Sequence, residues 1–281
     1  MHLLPATIPL LVAATSTGLT DADVDRSDVI LAAIVYTGSR GDDIGDEDYE
    51  VSDAPDPLIV CDEDEDDVDP CRVEALIREA AYRGAAMAVV SEAAFEEAGY
   101  EAVPVVGRLP PPSSPVQHRF SVLAEELEMY IVIALNTGDE RGHYSSQVAF
   151  APDGRVVARH HKFELYDDES SEYVAGDDVS VFPTPFGRVG LLICSDLYGD
   201  PRMHHRLVDE LGANIIALSS IWTVPDSIRW QSAFAHDWGV TLVAANGAAA
   251  DGKGAGIYDS DGDALVTSRA GHDLVLTSPI D

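Results

Sequence analysis

The chain has 281 residues, 46% of them apolar, so a sizeable buried core can form and global disorder is excluded. With 50 acidic residues against 17 basic ones, the formal charge of −33 excludes a nucleic-acid backbone and anionic membranes as natural partners. Only two of the basic residues are lysines, and an acidic, lysine-poor surface suits a halophilic protein that must stay hydrated in concentrated salt.

Met1 to about Gly18 carries an apolar stretch (Leu3, Leu4, Ile8, Leu10, Leu11, Val12) that ends in small residues but has no Lys or Arg before Arg26. That makes it a weak or truncated secretory signal, and Pro5 and Pro9 interrupt it too soon for a membrane span. Residues 1–27 are therefore expected as a leader and 28–281 as one domain, with a secreted or periplasmic location favoured over a cytoplasmic one. Val29 to Tyr36 reads as a buried strand, followed by an acidic insertion to about Pro70. Cys61 and Cys71 flank its most acidic run; if they close a disulfide loop, Cys194 is left as the free thiol. Nothing in the run has calcium-loop spacing.

Arg72 to Gly84 has helical periodicity, and Ala85 to Glu92 is the next strand. A helix from Phe120 to Glu128 leads to a strand from Tyr130 to Leu135, then a hairpin of Ser145–Phe150 with Val156–His160 around Pro152-Asp-Gly. Strand Gly187 to Cys194, helix Pro201 to Leu211, strand Asn214 to Ser219, helix Ile228 to Trp238, strand Val240 to Asn246 and a terminal hairpin through Asp259-Ser-Asp-Gly-Asp complete the chain. Strands alternating with helices, plus hairpins, predict an α/β fold with mixed sheets.

The chemistry concentrates at strand ends, where such folds open into a crevice. Glu92 and Cys194 both fall there, and Lys162 lies in Arg159-His-His-Lys-Phe-Glu-Leu-Tyr, ahead of the cysteine strand. Where arginine supplies nearly all the positive charge, a lysine at this place points to a need for a compact ammonium. Cys194 on a strand-to-helix turn would face backbone N–H groups that favour thiolate and can donate to an oxyanion. His160-His161 and His204-His205 are adjacent pairs that do not match a helical zinc motif, so no metal site is expected.

These residues resemble the nitrilase, or carbon-nitrogen hydrolase, superfamily, whose members use a Glu, a Lys and a Cys on a four-layer α-β-β-α sandwich. The matching positions are Glu92 after an apolar strand, Lys162 in Arg-x-x-Lys-aromatic-x-Leu, and Cys194 in Gly-x-x-x-Cys-x-Asp. Thr184-Pro-Phe-Gly-Arg-Val-Gly, Cys194-Ser-Asp-Leu-Tyr-Gly-Asp-Pro and Ser232-Ala-Phe-Ala-His-Asp-Trp-Gly carry a likeness to the biotinidase and vanin (pantetheinase) branch, its catalytic domain only. Two positions depart from the pattern: Val90-Ser-Glu stands where Phe-Pro-Glu is usual, and Ser195 replaces an aromatic residue.

The resemblance implies cofactor-free hydrolysis of a small linear amide, with Glu92 as general base, Cys194 as nucleophile, and Lys162 with the Ser195 backbone N–H as oxyanion donors. A second acid after the lysine is implied at Glu169, with Glu172 the next choice, and Tyr166 and Trp222 are candidate pocket walls. Ser195-Asp196 after the cysteine, where nitrilases carry Trp-Glu, disfavours nitriles. Acyl transfer to an amine, a catalytically silent binding module and self-association into a homo-oligomer stay open on sequence alone.

Overall fold

The first strand, β1 (Ile30–Val35), is apolar throughout because both of its faces are covered, as are those of the neighbouring β2 (Ala85–Val90). Their alternate side chains serve different layers, since successive residues of a strand point to opposite faces. Ala32, Ile34, Ala88 and Val90 face outward under helices α1 (Pro70–Tyr82) and α2 (Pro115–Leu127), while Leu31, Ala33, Met87 and Val89 face a second sheet. The computed structural model describes residues 26–36, 70–92, 107, 115–222, 226–247, 254–268 and 273–280. Most of the expected leader, the acidic insertion and Cys61 lie outside the described residues, and with them the loop that a Cys61–Cys71 disulfide would close.

The first sheet continues through β3 (Tyr130–Asp139), β4 (Gly142–Phe150) and β5 (Val156–His161). The second sheet is built from β6 (Val181–Thr184), β7 (Gly187–Ile193), β8 (Ile215–Ser220), β9 (Thr241–Asn246), β10 (Ala255–Tyr258) and β11 (Ala264–Ser268). The last strand, β12 (Leu274–Pro279), crosses back to pair antiparallel with β1, from Ile30 opposite Pro279 to Val35 opposite Leu274. The orders are therefore β12-β1-β2-β3-β4-β5 and β11-β10-β9-β8-β7-β6, each with a parallel centre (β1-β2-β3 and β7-β8-β9) and antiparallel flanks. The outer face of the second sheet (Leu192, Ile216, Leu218, Leu242) packs on α3 (Pro201–His205), the π turn that continues it to Glu210, and α4 (Ser227–Trp238). This is the expected α-β-β-α sandwich.

Helix α1 buries Val73, Ile77 and Ala80 at helical spacing, with Pro70 at its start, where a missing N–H costs nothing. Each large apolar side chain so buried contributes about 1.5–3 kcal/mol. Helix α2 begins five residues earlier than its apolar pattern suggests, at Pro115, and its first turns carry the buried Arg119, which meets the buried Glu74 of α1 at 2.5 Å. A buried charge hides a helical face from a hydrophobicity reading until its partner is known. Helix α4 stops at Gly239, whose left-handed backbone (φ 61°) brings its N–H to the carbonyls of Ala235 and His236.

Three inner strands are stitched together by polar groups. Gln147 of β4 donates from Nε2 to Ser219 Oγ of β8 at 2.8 Å, and Ser219 Oγ donates to the Val90 carbonyl of β2 at 2.6 Å. That relay crosses between the sheets directly behind the end of β2, so it fixes where the following residues, Ser91 and Glu92, leave the sheet.

Candidate active site

Strand β7 ends at Ile193, and the chain turns at Cys194 into a short 3-10 helix, Cys194–Tyr198. Cys194 has φ of +46°, a left-handed conformation that costs a non-glycine residue about 1–3 kcal/mol and is held only where the surroundings enforce it. Strain at a strand-to-helix turn is the geometry of a nucleophile elbow, which presents the side chain at the top of the sheet.

Lys162 follows β5 directly and is 1% exposed. Its Nζ donates to Glu92 Oε1 at 3.0 Å and to Glu169 Oε1 at 2.7 Å, so the two acids lie on either side of one ammonium. The second oxygen of Glu169 accepts the Tyr166 N–H at 2.7 Å, which closes a turn of the loop around the lysine. Glu172, the next choice for this role, is exposed at the end of the short helix Asp167–Ser171. Burial alone would lower the Lys162 pKa, but Glu92, Cys194 and Glu169 outweigh it and hold the ammonium above its ordinary value.

Glu92 is buried at the end of β2, and burial raises its pKa against the opposing pull of Lys162. Its Oε2 is buried without a formed hydrogen bond among the described residues, and the Cys194 thiol lies close enough for each group to shift the other's titration. Ser91, standing where a proline is usual, is wholly buried; its Oγ donates to the Tyr36 carbonyl at 3.1 Å and accepts the Tyr36 N–H at 3.3 Å. A side chain at Gly247 would collide with both Ser91 and the Tyr36 carbonyl, so glycine there lets the end of β9 close behind Glu92. The hydroxyl thus ties this position to the main chain of Tyr36.

One expectation is reversed. The thiol of Cys194 is pushed well above its ordinary pKa, first by burial and then by the Glu92 carboxylate; Lys162 and the Ile221 backbone N–H only partly offset this. Burial and the Glu92 charge thus favour the thiol over the thiolate, against the pull of the turn.

The wall residues separate into three positions. Trp222 is buried beneath Tyr198 and Trp230, with ring centroids 5.8 and 6.0 Å away, and its Nε1 has no hydrogen-bond partner among the described residues. Tyr166 is 61% exposed at the rim. Ser195 is buried and its hydroxyl donates to the Glu164 carbonyl, so its side chain is turned into the lysine loop. A small cleft reaches Glu92 and Glu169 between Asn136, Ser145, Tyr173 and Ile221. The sequence reading gave no role to Trp230 or to these cleft residues, which carry no motif, and it quoted Tyr198 only as a letter of the cysteine motif. Tyr198 had one signal, its place one short helix after Cys194.

The paired histidines divide between faces. His160 Nε2 donates to Asp196 at 2.8 Å, His161 Nδ1 meets Ser146 Oγ at 2.8 Å, and His204 Nε2 donates to the Asp196 carbonyl at 2.6 Å.

Comparison with known proteins gives a consistent result. The carbon-nitrogen hydrolase family model matches residues 71–250. A pantetheinase of Mus musculus is 34% identical over 169 residues, 53% of this chain and 33% of that protein. A biotinidase of Rattus norvegicus is 33% identical over 149 residues, 47% of this chain and 28% of that protein, and an omega-amidase of Xenopus tropicalis is 31% identical over 132 residues, 43% and 47%. The alignments thus span about a third or less of the pantetheinase and biotinidase and about half of the omega-amidase. A mutant amidase from Nesterenkonia sp. AN1, solved with butyramide, superposes with a TM-score of 0.67 over 90% of this chain and 91% of its own, at 18% identity, which shows the shared fold. Among the described residues no helix is long and apolar enough to cross a membrane. With its family match, its paired six-stranded sheets and the Glu92, Lys162 and Cys194 cluster at their edge, the chain belongs to the carbon-nitrogen hydrolase family.

Proposed function

We propose that this chain hydrolyses a small linear, non-peptide amide through a thioester on Cys194, with pantetheine-like and biotinyl amides as the substrates to test first. The observation that carries the reading is the buried Lys162 ammonium gripped by Glu92 and Glu169, with the strained Cys194 beside the free oxygen of Glu92. The similarity to a pantetheinase and a biotinidase supports the choice of substrates.

An amide carbon is a weak electrophile, and its nitrogen leaves only when protonated. Glu92 takes the thiol proton as sulfur bonds to the carbonyl carbon, which suits a thiol that is protonated at rest. The charge that develops on the carbonyl oxygen meets Lys162 and the Ser195 N–H, donors worth several kcal/mol in a site closed to water. Glu92 then passes its proton to the nitrogen, the amine departs, and the thioester remains. Water attacks that thioester as Glu92 takes its proton, the carbon–sulfur bond breaks, and Glu92 returns the proton to the sulfur, so the acid leaves with thiol and carboxylate restored.

Lysine suits this work better than arginine because one oxygen needs one compact donor, while a guanidinium is shaped for two. In the resting site Glu92, Cys194 and Glu169 hold its pKa above the ordinary value, which keeps the ammonium charged there.

The test is amine release from pantetheine, biocytin and simple primary amides in concentrated salt, beside a Cys194→Ala control. Release that the substitution abolishes supports the reading. No release from any of them, together with a Cys194 that iodoacetamide does not label at any pH, sinks it in favour of a silent binding module.

A further inference from the structure

Asp196, two residues beyond Cys194, is 0% exposed, and each of its carboxylate oxygens accepts two hydrogen bonds. Oδ1 takes the backbone N–H groups of Phe163 at 3.0 Å and Glu164 at 2.9 Å, the two residues that follow Lys162. Oδ2 takes the backbone N–H of Ile193, the residue before Cys194, at 2.9 Å, and His160 Nε2 at 2.8 Å. One carboxylate therefore grips the main chain beside the ammonium and the main chain beside the nucleophile. Two further contacts run the same way: Ser195 Oγ donates to the Glu164 carbonyl, and a side chain at Gly199 would stand 2.8 Å from the Phe163 ring and 3.0 Å from Glu164 Cβ.

Four donors converging on one group explain why it is a carboxylate. An ionised Asp offers acceptors only, on both oxygens, whereas Asn would turn an NH2 group toward at least one backbone N–H that has nowhere else to go. The strained φ of Cys194 also needs an enforcing partner, and the Ile193 N–H bonded to Asp196 is its immediate neighbour.

We propose that Asp196 is a positioning residue that sets the separation of the Lys162 ammonium from the Cys194 sulfur and, with it, the space in which the oxyanion forms. The inference rests on the amidase reading above only for the consequence in turnover. A misplacement on the order of 1 Å between reacting groups costs about 100-fold in rate, so loosening one of the two grips is expected to lower kcat by between about 10- and 100-fold. Substrate binding by the aromatic and cleft residues is left alone, so KM changes little.

The experiment compares the full chain with its Asp196→Asn variant in three measurements: a thermal melt, kcat and KM on the best amide, and the pH dependence of Cys194 alkylation by iodoacetamide. The expected result is a folded variant with lowered kcat, near-constant KM and a displaced alkylation profile, because Lys162 contributes to the field at the sulfur. A folded variant with native kcat and a native alkylation profile overturns the proposal. Where the variant does not fold, hydrogen exchange of the native chain decides: the N–H groups of Phe163 and Glu164 should exchange as slowly as those inside β7, and exchange at the rate of exposed loops overturns it. A native chain that turns over no amide would remove the amidase reading, yet the alkylation profile and the exchange rates would still test the position of Asp196.

Discussion

The proposed nucleophile, Cys194, and the proposed base, Glu92, come from different sheets and are held in different ways. Cys194 is held through its backbone: a left-handed φ, a short helix and a carboxylate bonded to the neighbouring Ile193 N–H fix it before any side-chain contact is considered. Glu92 is held through side chains, by the Ser91 hydroxyl on Tyr36, the Ser219 relay behind Val90, and an ammonium on one of its oxygens. Lys162 stands between them and answers to both. The difference teaches that the nucleophile is vulnerable to geometry, whereas the base is vulnerable to charge and hydrogen bonding.

Glu92→Gln should break the comparison most severely. It keeps the shape of the base arm but removes its proton acceptor, so turnover should fall by about 100- to 10,000-fold, measured as amine release at saturating substrate. The same change removes a negative charge from beside the thiol. Alkylation of Cys194 by iodoacetamide should then set in at lower pH than in the native chain, although turnover has collapsed. An unchanged alkylation profile would mean that the two arms do not communicate through charge.

Lys162→Arg tests the residue between the arms. It preserves charge but forces a larger, planar group into a site where the lysine is 1% exposed, and kcat should fall by about 100- to 1,000-fold. Native turnover would show that charge alone suffices there.

Ser91→Ala sharpens the comparison on the base side alone. Removing a buried hydroxyl that bonds both backbone groups of Tyr36 should cost about 1–3 kcal/mol in urea unfolding, with a smaller loss of kcat than Glu92→Gln causes. A variant as stable as the native chain would show that the hydroxyl has not taken over from the proline ring.

The smallest effect is expected at His161, next to the lysine. Burial first, and then the nearby Arg159, lower its pKa from 6.5 to about 4. Between those values the unfolded chain binds a proton that the folded chain does not, so this contribution is complete above pH 6.5 and is lost as pH falls toward 4. His161→Gln should flatten that part of a stability profile recorded by urea unfolding across the acid range. A profile of unaltered slope would place the acid sensitivity elsewhere.

Much of the architecture was legible in the chain. The apolar runs at β1, β2 and β7, the helical spacing of Val73, Ile77 and Ala80, and the turn at Pro152-Asp-Gly are short-range signals, and each produced its element. Glu92, Lys162 and Cys194 stood out because lysine is scarce, the free thiol sits at a strand end, and their order matches a known family. Hidden from that reading were features that depend on partners far along the chain. After β11 the chain leaves the second sheet and β12 pairs with β1 in the first, and Arg119 is tolerated in α2 because Glu74 waits on α1.

The Cys194 thiol could be located from sequence, but its protonation could not, since burial and the Glu92 charge exist only once the two sheets have packed. Asp196 illustrates the division most clearly. As a letter after Cys-Ser it is one of 50 acidic residues; in the folded chain four donors, from positions as far as 36 residues away, converge on its carboxylate. Sequence determines the local conformation and the inventory of reactive groups, because propensity and periodicity act over a few residues. Distances, burial and pKa shifts are decided by tertiary structure, because they arise from groups that only packing brings together.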